Sequence, residues 1–354
     1  MIGQGEKLLY QYLEGEMDDS KRVYTNKDIK GGTIPFPEAD LPDLSDYNVV
    51  AYSYLGATGS ASCKYQCSFC NSVKYYGEFR QKNIPQLVSE MTQQYNKYGV
   101  QLYFMTDAML NPIIDDLADE FLKSDITLYY DAFFRVDDKT GDIENTLRWR
   151  RGGFYRARMG VESGSQRVLD SIGKEATLQQ TRDTIKGLAY AGIKTTTYWV
   201  AGLPGETEED FQQTLELLEE LKNDIWQAEI AQFDYYYDGQ ASSEQWAAKR
   251  MLLYPEWAKH MLVSQSWILD CPPSREETYF RIFRFVRRCK ELGIPNPYSL
   301  REINLADERW KVLHKNAVPT MMDFKKRAYI DDTKEIKKLI FVTSEWKDEG
   351  EFSF

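Results

Sequence analysis

The chain has 354 residues, 42% hydrophobic and 28% charged, enough for a large buried core without disulfide staples. Its net charge is −11, and Lys and Arg are scattered rather than gathered into a stripe, so nucleic acid is not an expected partner. No apolar run approaches the roughly 18 residues of a membrane span and no signal peptide opens the chain; a cytoplasmic location with no membrane partner is expected.

Residues 1–48 begin with a short helical pattern ending at Gly15 and continue into a stretch rich in Pro, Gly and Asp, "GGTIPFPEADLPDLSD". That composition reads as a linker. From residue 49 short apolar runs alternate with amphipathic segments, and strands are expected at 49–55, 102–105, 127–133, 155–161, 194–200 and 229–233. Helix starts lie between them: Pro85 just inside one, Thr177 with Gln180 as a capping box, and Thr207 with Asp210 as another; beyond the last strand Ser274 with Glu277 makes a third box, after Cys271. Phe211, Leu215, Leu218 and Leu221 then fall on one helical face.

Six strand–helix alternations predict an α/β fold with a parallel sheet, curled as a partial (β/α)6 barrel over residues 49–240. From residue 241 to 354 the rhythm changes to longer helical patterns carrying Trp246, Trp257, Trp267 and Trp310, with no clear strand before "KKLIFV". This second region is expected to be mostly helical and, with 24 Tyr and 8 Trp in the chain, to offer aromatic surface for a substrate. Ordinary packing explains the same aromatics equally well.

Three of the five cysteines lie within eight positions of "SASCKYQCSFCNS", as Cys63, Cys67 and Cys70. The cluster argues against a secreted disulfide framework and for reduced thiolates open to a metal. Structural zinc needs four protein ligands, and only Cys271, Cys289, His260 and His314 could supply the fourth. A [4Fe–4S] cluster with one iron left open suits three thiolates better. Zinc on a non-catalytic module remains the alternative from spacing alone.

The pattern C-x-x-x-C-x-aromatic-C, formed by Cys63, Cys67, Phe69 and Cys70 after the first strand, resembles the signature of radical S-adenosylmethionine (SAM) enzymes. The stretches "RMGVESGSQRVLDSIGKEAT" and "AGIKTTTYWVAGLPGETEEDF" resemble the subgroup that usually carries a cobalamin-binding domain ahead of the radical domain. The resemblance implies a [4Fe–4S] cluster, S-adenosyl-L-methionine, a reductant such as flavodoxin or ferredoxin, and a 5′-deoxyadenosyl radical that takes hydrogen from a substrate.

It further implies positions for the cofactor. Phe69 would lie near the adenine, and Thr106 and Asp107 would meet the amino group. Arg135 would pair with a carboxylate, a surface ion pair being its plainer role. Glu162 and Ser163 would bind the ribose hydroxyls. Val200 and Gly202, in "VAGLPGE", would let backbone approach the adenine, and the same segment reads as a strand-to-helix turn. One departure is "GSAS" before Cys63, where relatives often have an arginine and a glycine.

The opening of the chain resembles the stretch that follows the cobalamin domain, and the 100 or so residues that such a domain needs do not precede it. Cobalamin-dependent methylation is therefore the runner-up activity. The leading expectation is a peptide substrate, epimerised or modified in its backbone, bound between the barrel mouth and the C-terminal region. In that scheme Cys271 returns a hydrogen atom to the substrate radical; an ordinary half-buried thiol is the alternative. Cys289, in "YFRIFRFVRRCKEL", is expected in the core, on a face with Tyr279, Ile282 and Val286.

Overall fold

The computed structural model describes residues 5–17, 20–21, 23–25, 28–29, 44, 54–234, 250–252, 267–269, 271–295 and 299–328. Strand β1 (Tyr54–Ala57) leads into a hairpin of β2 (Ser60–Ala61) and β3 (Arg80–Gln81), followed by β4 (Leu102–Met105), β5 (Tyr129–Phe134), β6 (Phe154–Glu162), β7 (Lys194–Ala201) and β8 (Gln227–Gln232). The helices are α1 (Gly5–Leu13), α2 (Ser72–Tyr76), α3 (Ile84–Tyr98), α4 (Ile114–Leu122), α5 (Ile143–Arg151), α6 (Gln166–Ser171), α7 (Leu178–Tyr190), α8 (Glu208–Glu220), α9 (Arg275–Leu292), α10 (Leu300–Leu313) and α11 (Met321–Ala328).

Strands β1, β4, β5, β6, β7 and β8 pair in parallel in that order. A doubly wound sheet reverses its order partway; this one never does, so each crossover helix falls on the same face. The sheet is the partial (β/α)6 barrel expected from the alternation, with β1 and β8 as its edges. The helix starts expected from sequence are present: Pro85 opens α3, and capping boxes begin α7, α8 and α9.

The two faces of the sheet differ in chemistry. Tyr103, Met105, Tyr130, Ala132, Ala157, Met159 and Trp199 point outward into one core with Leu87, Leu117, Phe121, Ile185, Leu188, Phe211, Leu218 and Phe285. Each large side chain buried there contributes about 1.5–3 kcal/mol. The inner face is polar. Phe104, Asp131, Arg156 and Lys194 align across one row, Phe133, Arg158, Thr196 and Gln227 across the next, and Gly160, Tyr198 and Glu229 across a third.

The C-terminal helices close this structure. Helix α9 packs on β7, β8 and α8, with Phe285 5.6 Å from Trp199, so it serves as barrel wall beyond the boundary set at residue 240. Cys289 is 2% exposed, as expected, but the buried face of α9 is Thr278, Arg281, Phe285 and Cys289. Tyr279 is exposed, because the helix turns Arg281 toward Glu206 at 2.8 Å instead.

Residues 300–328 seal the amino-terminal end of the strands. Phe324 and Val318 join Leu102, Tyr129 and Tyr155 in an apolar floor. Above it the buried Lys194 ammonium lies 2.6 Å from Asp307, which also accepts from Trp226 Nε1 at 3.1 Å and from the Met321 N–H at 2.8 Å. Trp310 is buried at this end, donating to the Gly192 carbonyl at 3.1 Å. Helices α10 and α11 lie at the floor and α9 along the wall, where Pro272, Phe280 and Arg281 line a hollow of about 530 Å³ against Gly205 and Glu206, just past β7. The C-terminal region also holds strands that the sequence did not announce, β9 (Arg250–Leu252) and β10 (Trp267–Leu269), paired antiparallel. The 30–43 part of the linker, residues 49–53 of the first expected strand, Trp246, Trp257 and "KKLIFV" lie outside the described residues.

Burial pushes Lys194 down to about 8 even with Asp307 beside it. Removing one partner of such a pair leaves a buried charge uncompensated. Asp307→Ala is expected to lose about 3–5 kcal/mol of unfolding free energy, and Lys194→Met combined with Asp307→Leu to lose less, both read by urea denaturation.

Candidate active site

The loop between β2 and β3 carries all three clustered cysteines, and its base is fastened to the sheet. Asp107, at the end of β4 and fully buried, accepts from the Gly59 N–H at 3.0 Å and the Ser60 hydroxyl at 2.5 Å. Burial raises its carboxyl to about 6 against those hydrogen bonds. Ser62, which precedes Cys63 where relatives often have glycine, has φ +72 and donates to the Gly77 carbonyl. That left-handed conformation is the physical reason for glycine at such a position. At the loop's far side the Ser68 N–H and hydroxyl both donate to the Ile172 carbonyl, at 2.9 and 3.1 Å.

Cys67 is buried, with Cys63 and Cys70 half-buried. Burial pushes the Cys63 thiol up, Cys67 and Cys70 push the same way, and the Tyr65 N–H and Arg135 oppose them. N–H groups of Tyr65 and Ser72 point at Cys63 Sγ and Cys70 Sγ, each at 3.5 Å. A Cys63 thiol held up by burial and by its two neighbours favours a cation beside it, because coordination deprotonates a thiol outright. The donor set fits a thiolate-bound iron–sulfur cluster, while among the described residues no three Cys, His, Asp or Glu side chains are arranged to hold a single metal ion.

Arg135, just past β5, ties this loop to the barrel. Its Nη1 lies 3.3 Å from Cys67 Sγ and its guanidinium stacks 3.7 Å from the Tyr65 ring centroid. Asn111 fixes its backbone, accepting from the Arg135 N–H and donating to its carbonyl, both at 2.7 Å. Arg135 is 7% exposed, and its Nε and Nη2 have no hydrogen-bond partner among the described residues. Buried donors are rarely left so, and two on one guanidinium match a carboxylate.

Glu162 ends β6 at φ +66, beside a register shift. Its carboxylate folds back over Gly160, where a Cβ would lie 2.2 Å from Oε1, and accepts from the buried Lys174 ammonium at 2.7 Å. That ammonium is also 5.8 Å from the Phe69 ring centroid. Phe69 and Val200 share an apolar cluster with Val168, Leu169, Ile172 and Leu203. Thr106 is exposed at the rim, its hydroxyl 2.5 Å from that of Thr58. The structure thus brings Cys63, Cys67, Cys70, Phe69, Thr106, Arg135, Glu162 and Val200 to the carboxyl ends of the strands, where barrels of this kind build their sites.

Three residues singled out from sequence have other occupations here. Asp107 spends its carboxylate on the cysteine loop, as above. Ser163 is fully buried, accepts from the Ser165 N–H at 3.1 Å and lies 3.4 Å from the Thr214 hydroxyl, so it anchors α8. Gly202, at φ +81, makes its close approach to α9: a Cβ there would lie 2.4 Å from Thr278 Oγ1. Cys271 is half-buried beside Pro272, whose carbonyl accepts from the Gly205 N–H at 2.8 Å. Sequence reasoning missed Tyr65, Lys174 and Asn111. Tyr65 and Lys174 stand inside the very motifs quoted, but nothing in a spacing pattern marks a stacking partner or a counter-ion.

Residues 59–218 match the family model described as the radical SAM superfamily. Those residues form a radical SAM domain, and the family they match works with a [4Fe–4S] cluster and SAM. The chain is 26% identical over 234 residues to an uncharacterized methyltransferase of Pyrococcus horikoshii, covering 65% of this chain and 50% of that protein. It is 25% identical over 263 residues to an anaerobic magnesium-protoporphyrin IX monomethyl ester cyclase of Cereibacter sphaeroides, covering 66% of this chain and 42% of the cyclase. In fold it is similar to the radical SAM methyltransferase TsrM of Kitasatospora setae, solved with cobalamin and a [4Fe–4S] cluster, at TM-score 0.59 and 13% identity over 78% of this chain and 61% of TsrM. The chain thus spans half or less of the length of these curated relatives. Among the described residues no helix is long and apolar enough to cross a membrane.

The "GVESG" turn depends on Asp210, which accepts from Ser165 Oγ at 2.6 Å and pairs with Arg167. Burial pushes its carboxyl up, but Arg167, Ser165 and Thr207 outweigh that and hold it well below the usual carboxylate range. A depressed folded-state pKa stabilises above the unfolded value near 3.8 and is lost as pH falls below it. Urea stability should therefore drop more steeply between pH 5 and pH 3, taken as about two units of acidification, in the wild type than in Asp210→Asn.

Proposed function

We propose that this protein holds a [4Fe–4S] cluster on Cys63, Cys67 and Cys70 and binds SAM against it, so as to abstract hydrogen from a substrate inside the barrel. When bound, the cluster supplies the single electron that cleaves SAM to an organic radical. The observation that carries this reading is Arg135, pressed between Cys67 Sγ and the Tyr65 ring with two buried N–H groups unpartnered.

In this reading Arg135 receives the SAM carboxylate and Thr106 its amino group. Glu162, with Oε1 already on Lys174, offers its second oxygen to a ribose hydroxyl. Phe69 and Val200 cover the adenine with the apolar cluster they share. The Lys194–Asp307 pair and the aromatic floor keep bulk water from entering the barrel from below. Cys271, at the rim of β7, is the proposed hydrogen donor to the substrate radical. An external one-electron reductant such as flavodoxin or ferredoxin completes the scheme.

Two substrate readings differ in support. Methyl transfer is favoured by the methyltransferase names of a sequence relative and of a fold neighbour. A ribosomal peptide, expected from the aromatic C-terminal region, is named by neither of these relatives; α10 and α11 are taken up by packing, while α9 keeps Tyr279, Phe280 and Phe283 exposed.

Anaerobic reconstitution should give about four irons per chain, and dithionite with SAM should then give 5′-deoxyadenosine; Cys67→Ala should lose both. Reconstituted protein that forms no 5′-deoxyadenosine would defeat the proposal. Arg135→Lys should keep its iron yet bind SAM about tenfold more weakly, since a point charge cannot reproduce the planar fork.

A further inference from the structure

The inner face of the barrel carries more polarity than the cofactor reading uses. Two guanidiniums share one carboxylate there: Arg156 and Arg158 both pair with the fully buried Asp131, Arg158 through Nε at 2.7 Å and Nη2 at 2.8 Å. The trio has a surplus of one positive charge. Arg158 Nη1 has only a long contact, 3.5 Å to the Tyr198 hydroxyl.

One row nearer the mouth, Glu229 pairs in register with Tyr198. It is half-buried and makes no hydrogen bond or ion pair among the described residues. Arg158 and Arg156 act on it only through their field, against the burial that pushes its carboxyl up. A surplus cation and a surplus anion thus face one chamber without closing on each other.

Two further polar atoms on the same wall are open. Thr196 Oγ1, on the register partner of Arg158, and Gln227 Nε2, on the register partner of Thr196, are buried and without a hydrogen-bond partner. The chamber is accessible: Phe133, in the middle of the sheet's inner face, is still 38% exposed. Phe133 lies 6.0 Å from Phe104 and 6.2 Å from Tyr198, ring centroid to centroid, giving a small aromatic lining. A surplus charge of each sign and unsatisfied donors in a partly buried site call for a ligand that supplies their partners.

We propose that this chamber binds a free α-amino acid as substrate, its ammonium received by Glu229 and its carboxylate by Arg158 with Gln227 Nε2. The proposal rests on the radical SAM reading above and adds the substrate class. A dianion would leave Glu229 opposed, and a dication would oppose Arg158, so a zwitterion is the small ligand that satisfies both. The floor of Tyr54, Leu102, Tyr129 and Phe324 limits its length from below.

Calorimetric titration of the cluster-reconstituted full chain, with SAM present, against each of the common L-amino acids tests this. At least one should bind, and its des-amino and decarboxylated analogues should each bind at least about tenfold more weakly, the loss of one charge-assisted contact. Glu229→Gln should weaken the amino acid to a similar degree and bind the des-amino analogue as the wild type does, which also verifies that the variant is folded. Absence of binding by every amino acid, binding only of peptides, or equal affinity of wild type and Glu229→Gln would overturn the proposal. Wild-type protein that forms 5′-deoxyadenosine yet binds no amino acid rejects this inference alone; failure to form 5′-deoxyadenosine rejects the reading beneath it.

Discussion

Arg135 joins the cysteine loop to the barrel. Its backbone ends a strand of the sheet and is clamped by Asn111, while its guanidinium reaches a thiol of a loop that arises from a different strand. The contact works only because parallel strands deliver all their carboxyl ends to one rim. Asp107 performs the corresponding task at the loop's base, and Ile172, after β6, at its far side. The cysteine loop is thus held by three successive units of the barrel, which gives its thiols fixed positions before any metal arrives.

A second constraint comes from the polarity inside the sheet. Asp131, Arg156, Arg158 and Lys194 would be costly on a surface covered by apolar side chains, and each is paired. The arrangement at the floor answers this need: α10 brings Asp307 to Lys194, and the segment leading into α11 brings Val318 beside the aromatic floor. Sealing one end of the barrel leaves the mouth, where the cofactor residues gather, as the open side. Helices α10 and α11 thereby serve the site from a distance.

Periodicity made the sheet legible. Strand β4 lies at the expected residues, β6, β7 and β8 within two residues at either end, and the capping boxes at Thr177, Thr207 and Ser274 mark their helices correctly. The three cysteines and the rim positions of Phe69, Arg135 and Glu162 were legible because their motifs sit at strand ends. What escaped was tertiary. Nothing local says that Ser163 turns to Thr214, that Gly202 makes room for Thr278, or that Arg281 rotates α9 away from the face read from Tyr279. The inner-face charges escaped for a related reason: Arg156, Arg158 and Glu229 look like ordinary exposed alternation until register aligns them across β6, β7 and β8.

The central claim is that the three thiols hold a cluster with an open iron against which Arg135 and Glu162 seat SAM. Electron paramagnetic resonance of the anaerobically reconstituted, reduced protein tests it most directly, recorded with and without SAM. A reduced [4Fe–4S] signal whose g-values shift on addition of SAM is the predicted result. A signal indifferent to SAM, or no cluster signal in protein that carries its iron, would contradict the account.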